Sequence, residues 1–145
     1  MLMPTHSFTC TASTEYDSRY RCSNVYDFNR ATDWATRGQG ADGWIEIQFN
    51  DPSNFNVQIS KIGTRHRTGG SVSGDNFKDI TLSFSDGTNQ STTLPDGTNP
   101  EWNLIKMNPW VQTRSVKISA TSVHGPKHYN TGFSEIKFYG CPGRT

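Results

Sequence analysis

A segment rich in oxygen-bearing side chains, Asp27-Phe28-Asn29-Arg30-Ala31-Thr32-Asp33-Trp34, is the strongest candidate for chemistry in this sequence. A straight strand would send alternate side chains to opposite faces, so Asp27, Asn29 and Thr32 can converge only if the chain curls. A curl also turns backbone carbonyls inward, and Ca²⁺ binds six to eight carboxylate, carbonyl and hydroxyl oxygens. The same residues could instead cap their own backbone in a turn-rich loop. The twelve-residue calcium signature of helix–loop–helix proteins is absent, so spacing alone leaves both interpretations open.

The composition predicts one domain made of many short strands. The chain has 145 residues, enough for a single hydrophobic core, and its high share of aromatic residues with abundant Gly, Ser, Thr and Asn is typical of turn-rich β domains. Its net charge is +1 and it has no run of Lys or Arg, which argues against nucleic acid or an anionic membrane as an obligate partner. No apolar run reaches the length of a membrane span, and the first residues do not resemble a signal peptide.

The cysteine count predicts an extracellular or cell-surface protein with one disulfide. Cys10, Cys22 and Cys141 match no zinc motif, so we expect one pair and one free thiol, without knowing which two cysteines pair. Asn89-Gln90-Ser91 is a glycosylation sequon in a predicted surface turn, which favours the same location. Three free thiols would instead favour an intracellular interaction domain.

About eight short segments with strand character, and no helical period between them, predict an all-β antiparallel sandwich or jelly roll. Residues 44–49 alternate cleanly between apolar and polar side chains, and a change of phase at Ser60-Lys61 predicts a β-bulge. Asp86-Gly87 predicts a tight hairpin. We expect one domain over residues 1–145, with flexible ends at 1–6 and 142–145.

Four stretches of the sequence resemble the pattern of discoidin domains, also called coagulation-factor C-type or galactose-binding-like domains. Residues 27–34 resemble that family's Asp-Gly-x-x-x-Thr-x-Trp loop, and residues 43–49, 80–87 and 132–140 match three further family stretches in the family's order. The resemblance implies an eight-stranded antiparallel jelly-roll β-sandwich, which agrees with the strand count obtained from alternation alone. It is closest to the carbohydrate-binding branches of the family.

The resemblance also implies a structural Ca²⁺ that joins the loop after the first strand to the last strand. Carried over residue by residue, it implies side-chain ligands Asp27, Thr32 and Glu135 and backbone carbonyls near Asn24, Asn29 and Ser134. Phe28 stands where the family prefers Gly, so it would be strained if this position has a positive φ. The ion would fix a loop, because no open cluster of Asp, Glu and His suggests a metal-activated water.

Three predicted loops at one end of the sandwich, residues 36–43, 65–76 and 122–131, form the candidate ligand site. Sugar recognition needs hydrogen-bonding groups for hydroxyls and a flat apolar surface for the C–H face of the ring. The segment from Arg65 to Arg67, with Asn76, resembles the place where the family's sugar binders put an arginine and a partner. The candidate contacts are Arg37, Asp42, Arg65, Arg67, Asn76, His128 and Tyr129. The arginine side chains of this segment could equally be ordinary solvated residues at the end of a strand.

The sequence therefore predicts a non-catalytic, lectin-like module that binds a glycan, of galactose or fucose type. No serine lies in a nucleophile elbow, and the acidic residues are scattered through turns, so we expect no enzymatic activity. The predicted loop tips carry one apolar residue, Val72, which argues against insertion into a membrane. The alternative is a protein-binding adhesion module that uses the same loops.

Overall fold

The computed structural model describes residues 1–5, 7–50, 56–67, 76–96, 102–126 and 129–142. The described residues form nine strands and two short 3₁₀ helices. The strands are β1 (Phe8–Ala12), β2 (Trp34–Ala35), β3 (Trp44–Phe49), β4 (Val57–His66), β5 (Asp79–Phe84), β6 (Asn89–Thr93), β7 (Asn103–Thr113), β8 (Ser115–Ala120) and β9 (Gly132–Pro142). The 3₁₀ helices are η1 (Cys22–Tyr26) and η2 (Gly40–Asp42). The strand beyond the eight expected is β2, whose two residues are too few to show a period.

Two antiparallel sheets enclose the core, which confirms the predicted β-sandwich. One sheet has the strand order β1-β3-β8-β5-β6 and the other the order β2-β9-β4-β7. Alternate residues of each strand point inward, as in β3, where the three apolar residues predicted to face the core are buried: Ile45, Ile47 and Phe49. The predicted bulge is present, since the pairing of β4 with both neighbours shifts between Ile59 and Lys61. The bulge keeps Ile59 and Ile62 on the core side.

The four tryptophans occupy different environments. The apolar alternation in and beside the strands predicts Trp34, Trp44 and Trp102 in the core, and the structure bears this out for Trp34 alone. Trp34 is fully buried and stacks on Phe133, with ring centroids 6.3 Å apart. Trp44 and Trp102 are only half-buried, and Trp110 is 55% exposed. Alternating apolar residues beside a tryptophan therefore did not decide which face of the sheet it occupies.

One disulfide, Cys10–Cys22, ties η1 to β1, and Cys141 is a free thiol. This confirms the prediction of one disulfide and supplies the pairing that the sequence left open. The bond closes a loop with a sequence separation of 12. Because η1 leads directly into residues 27–33, the bond also fixes where that loop begins.

We expect the double substitution Cys10→Ser and Cys22→Ser to lower the free energy of unfolding by about 3 kcal/mol, because closing a loop of this size restricts the unfolded chain by roughly that amount. Urea unfolding followed by tryptophan fluorescence measures the change. Cys141→Ser is the control and should leave the urea midpoint unchanged. Equal midpoints for the double variant and the wild type would show that the bond adds no stability.

Candidate metal centre and ligand-binding loops

The loop that follows η1 curls as the metal hypothesis requires. Asp27 Oδ1 accepts a hydrogen bond from the Asn29 amide at 2.8 Å. The Thr32 hydroxyl donates to Asp27 Oδ2 at 2.5 Å and to the Asn29 carbonyl at 3.0 Å. The Asn24 side chain donates to the carbonyls of Arg19 and Asp33, which ties the two ends of the loop together. Carboxylate, hydroxyl and carbonyl oxygens thus converge, although Asp27 also caps its own backbone.

Glu135, on β9, supplies a second carboxyl group to this loop. It is 3% exposed and shares a hydrogen bond with Asp27. Burial, together with the hydrogen bond to Asp27 and the negative charge of Asp27, raises the pKa of Glu135 to about 8. One of its oxygens, Oε1, is buried with no hydrogen-bond partner. Two acidic side chains distant in sequence therefore meet around an unsatisfied oxygen, and a bound cation would satisfy it.

The donor set of this centre fits Ca²⁺ better than a transition metal. Within the described ranges, no three His, Cys, Asp or Glu side chains come together, so two carboxylates must be completed by hydroxyl and carbonyl oxygens. Hard oxygen donors of this kind suit Ca²⁺. Thr32 provides such a hydroxyl, while the carbonyl contributions expected of Asn24, Asn29 and Ser134 remain predictions.

Phe28 lies in the left-handed region, with φ at +59°, and its side chain is 60% exposed. Position 28, where the family prefers glycine, therefore has the positive φ that suits glycine but carries a phenylalanine. A residue with a Cβ atom pays roughly 1 to 2 kcal/mol to adopt this conformation.

Phe28→Gly should raise the free energy of unfolding by about 0.5 to 1 kcal/mol, because relief of this backbone strain exceeds the entropy that glycine adds to the unfolded chain. Thermal unfolding in calcium-containing buffer checks the change. Phe28→Ala is the matched control: it removes the ring but keeps the Cβ atom, so it should give no gain. A gain from alanine equal to that from glycine would show that the ring, not the backbone, is the source of strain.

At one end of the sandwich, hydrogen bonds join three loops into one surface. The Gly38 amide donates to Asn130 Oδ1 at 2.8 Å, and the Gly40 amide donates to the Tyr129 carbonyl at 3.0 Å. The Arg37 amide donates to the Thr14 hydroxyl at 2.9 Å, which adds the loop after β1. We call the surface formed by residues 14–20, 36–40, Arg67 and 129–131 the loop cluster.

Arg67 lies at the base of the loop cluster. Its Nε pairs with Asp33 Oδ2 at 3.1 Å, and the two side chains are only 7% and 2% exposed. Its Nη1 donates to the Asn130 carbonyl at 2.7 Å, and its guanidinium carbon lies 5.4 Å from the centre of the Tyr20 ring. The residue thus connects three segments of the chain.

Tyr16 and Tyr20 add two aromatic rings to the loop cluster, which also contains the predicted Tyr129, and neither was among the predicted ligand contacts. Their rings make an edge-to-face contact with centroids 5.6 Å apart, and Tyr16 is 40% exposed. The exposed Arg37 side chain donates to the Tyr16 carbonyl at 3.0 Å. Two tyrosines in an otherwise polar loop were the available signal, because an aromatic ring with no core pattern around it often serves a ligand.

The other predicted ligand contacts lie elsewhere. Arg65 is 4% exposed and pairs across the sheet with Glu135, on the outer face of the smaller sheet. The pairing of β4 with β9 shifts between Arg65 and His66, which helps to separate Arg65 from Arg67. Asn76 is 3% exposed, and its carbonyl accepts from the His124 amide at 3.1 Å. Asp42 is exposed at the end of η2, and His128 lies outside the described residues.

Comparison with known proteins gives a family match over most of the chain. The model of the F5/8 type C domain family matches residues 9–136. No curated protein sequence is significantly similar to the chain. No helix among the described residues has the length and apolar character needed to cross a membrane.

Several solved structures share the fold at low sequence identity. The family 32 carbohydrate-binding module of Clostridium perfringens NanJ, in complex with galactose, has a TM-score of 0.71 and 18% identity over 94% of this chain and 96% of that one. CpGH89CBM32-5 from Clostridium perfringens, in complex with GalNAc-β-1,3-galactose, has a TM-score of 0.75 and 16% identity over 97% and 100%. Chitosan-binding module 2 of a Paenibacillus sp. IK-5 chitosanase/glucanase, in complex with chitotriose, has a TM-score of 0.65 and 19% identity over 92% and 97%.

Proposed function

The chain belongs to the F5/8 type C domain family, and on that premise we propose that it is a non-catalytic carbohydrate-binding module with a structural calcium ion, acting outside the cell or at its surface. The observation that carries the proposal is the loop cluster, in which Tyr16 and Tyr20 lie beside the exposed Arg37 and the anchored Arg67. These groups share one end of a rigid sandwich, the usual place for ligand contacts on such a scaffold.

The loop cluster provides the groups that sugar binding needs. The exposed ring of Tyr16 offers a flat apolar surface for the C–H face of a pyranose. Arg37 has several N–H donors in a fixed plane, which suit a pair of neighbouring hydroxyls. The Asn130 and Tyr129 carbonyls already accept hydrogen bonds from the chain, so they hold the surface in shape. The site is formed by packed loops rather than by a deep pocket, which suits an exposed end of a glycan.

Calcium in this proposal would hold the loop that precedes the ligand surface. Asp27, Thr32 and Glu135 would be its side-chain ligands, and Ca²⁺ supplies a charge that compensates two adjacent carboxylates. The convergence of Asp27 and Glu135 and the unpartnered Glu135 oxygen support this assignment. In this proposal the role of the ion is structural.

The neighbours in fold and the disulfide set the expected ligand and location. Structures with this fold hold galactose, GalNAc-β-1,3-galactose or chitotriose, so sugars of galactose or amino-sugar type are the first class to test. The fucose type expected from the family resemblance is the next class. The Cys10–Cys22 disulfide favours an oxidising compartment, which fits an extracellular or cell-surface module.

A glycan array probed with and without calcium tests the proposal. We expect signal from the wild type, and we expect Tyr16→Ala and Arg37→Ala to lose at least tenfold in affinity at unchanged melting temperature, since both side chains are exposed. Trp110→Ala, which removes an exposed aromatic residue elsewhere, is the control. A blank array together with a protein ligand whose binding survives deglycosylation would replace the proposal with the protein-adhesion alternative.

A further inference from the structure

A cavity lies on the outer face of the smaller sheet, away from the loop cluster. It has a volume of about 200 Å³ and is lined by Phe28, Arg30, Arg65, Trp102, Glu135 and Lys137. We call it the outer-face pocket. Its size is below the roughly 300 Å³ at which pockets for drug-sized ligands begin, so it suits a single ring-sized unit.

The aromatic wall of the outer-face pocket is held in place by the sheet below it. An ideal Cβ atom on Gly63 would lie 3.1 Å from Trp102 Cε3 and 3.3 Å from the Leu104 side chain, so the indole lies directly over this glycine of β4. Lys137 Nζ is 4.3 Å from the Trp102 ring centre, and the guanidinium carbon of Arg65 is 5.5 Å from it. The indole therefore packs against this glycine, and the Lys137 and Arg65 cations lie over its ring.

The charge around the outer-face pocket is predominantly positive. Among its described lining residues, three are basic (Arg30, Arg65 and Lys137) and one is acidic (Glu135, which shares a hydrogen bond with the neighbouring Asp27). The positive charge continues along the same face of the sheet, because cross-strand partners share a face. Lys61 pairs with both Lys106 and Tyr139, and its Nζ lies 4.6 Å from the Tyr139 ring centre. Since the whole chain has a net charge of only +1, this face is locally basic.

We propose that the outer-face pocket is a second carbohydrate site, one that takes a carboxylate-bearing sugar residue of an acidic glycan. On binding, the Lys137 side chain would turn from the Trp102 ring to the sugar carboxylate, which Arg30 would also contact. The indole face uncovered in this way would carry the C–H face of the sugar ring. The row of Lys61, Lys106 and Tyr139 provides a path along which further acidic residues of the same glycan extend. The inference that the ligand is a sugar rests on the proposed function. The inference that the ligand is negatively charged follows from the basic residues of the pocket itself.

Binding of trigalacturonate and of its fully methyl-esterified form, measured by calorimetry at one fixed calcium concentration, tests the proposal. The two probes share the same rings, and the ester has no charge. We expect the acid to bind at least tenfold more tightly than the ester. Its affinity should fall as NaCl rises from 0.05 to 0.5 M, because salt screens partly exposed charges.

Two lysines give a matched pair of variants for this experiment. Lys137→Met should weaken binding of the acid about tenfold, and Arg30→Met should do the same. Lys117→Met is the control, because Lys117 Nζ lies 4.4 Å from the Trp44 ring on the other sheet, in a comparable lysine–tryptophan contact. Equal affinity for acid and ester, or equal weakening by Lys137→Met and Lys117→Met, would overturn the proposal.

Arg37→Ala separates this site from the loop cluster. It should abolish binding of neutral glycans and leave binding of trigalacturonate intact. Acid binding that is lost in Arg37→Ala and retained in Lys137→Met would assign the acid to the loop cluster and overturn the second site. Acid binding that depends on Lys137 while neutral arrays stay blank would support the second site and remove the function proposed for the loop cluster.

Discussion

Glu135→Gln is expected to abolish the rise in melting temperature that calcium gives the wild type. A ligand bound only by the folded state stabilises it by about 2.7 kcal/mol at a concentration one hundred times its dissociation constant, which is roughly 8 to 10 °C for a domain of this size. Glutamine fills the same space and cannot supply the negative charge that the ion requires. Asp27→Asn should have the same effect, while Glu46→Gln, on the other sheet, should keep the full calcium response.

In the absence of calcium, Glu135→Gln should make the protein more stable than the wild type rather than less stable. Because the pKa of Glu135 is raised to about 8 in the folded protein, the folded state keeps a proton that the unfolded chain loses near its ordinary value. The resulting stabilisation is complete below the unfolded pKa and is lost as pH rises through about 8. In chelator, wild-type stability should therefore fall between pH 6 and 9 relative to Glu135→Gln.

Melting curves of the wild type and of Glu135→Gln test these expectations. Each protein is measured at pH 6 and at pH 9, once with EDTA and once with excess calcium. At pH 9 the glutamine variant should melt above the wild type in EDTA and below it in calcium. The calcium-site hypothesis fails if wild type and variant respond identically to the metal. Loss of the calcium response without the reversal in EDTA would instead show that the two carboxyl groups do not destabilise the metal-free fold.

Arg67→Ala is expected to lower the free energy of unfolding by about 3 to 5 kcal/mol, the usual cost of removing one partner of a buried ion pair. Asp33 has a side chain only 2% exposed, so its charge would remain in the protein without the guanidinium that now pairs with it. The substitution also removes the hydrogen bond to the Asn130 carbonyl and the contact with the Tyr20 ring. The melting temperature should fall by roughly 10 °C or more.

Arg19→Ala provides the control for Arg67→Ala. Arg19 pairs with Asp17 at 2.8 Å, but its side chain is 75% exposed, so its loss should leave the melting temperature nearly unchanged. Replacing Asp33 by Asn together with Arg67→Ala should cost less than the sum of the two single changes, because the buried charge is then gone. Additive losses would contradict a direct interaction between the two side chains.

The strength of this anchoring changes how Arg67 can be tested as a sugar contact. If Arg67 only contacted the sugar, Arg67→Ala would remove binding and leave stability unaffected. In the structure, a loss of binding could follow from the collapse of the loops around it. The exposed Arg37 and Tyr16 therefore report on ligand contact, whereas Arg67 reports on the integrity of the surface.

The strands could be predicted from the sequence because the alternation of apolar and polar residues is a property of neighbouring positions in the chain. The alternation in β3 and the phase change at Ser60-Lys61 both follow from the period of two in a strand, and both are present. The meeting of Asp27 with Glu135 depends on pairing between distant segments. No local period encodes that pairing, so it was expected only through the resemblance to a known family.

Side-chain direction at the end of β4 could not be read from the sequence. Arg65 and Arg67 were grouped because they are close in the chain, yet one faces Glu135 and the other pairs with Asp33. A register shift at a strand end changes which face a residue occupies, and the residue types do not indicate such a shift. Because the residue types do not show which way a side chain points, Trp102 was predicted in the core and Tyr16 was not predicted as a ligand contact.

Asp33 immediately follows the curled loop of Asp27 and Thr32, and its side chain holds the arginine at the base of the loop cluster. The proposed ion would fix that loop and the proposed glycan would rest on the loop cluster, so the two ligands would act on one shared element. Thermodynamic reciprocity then requires that whatever factor calcium adds to glycan affinity, a saturating glycan must add to calcium affinity. On a glycan-coated surface, the module would hold its ion at calcium concentrations too low to fill it in free solution.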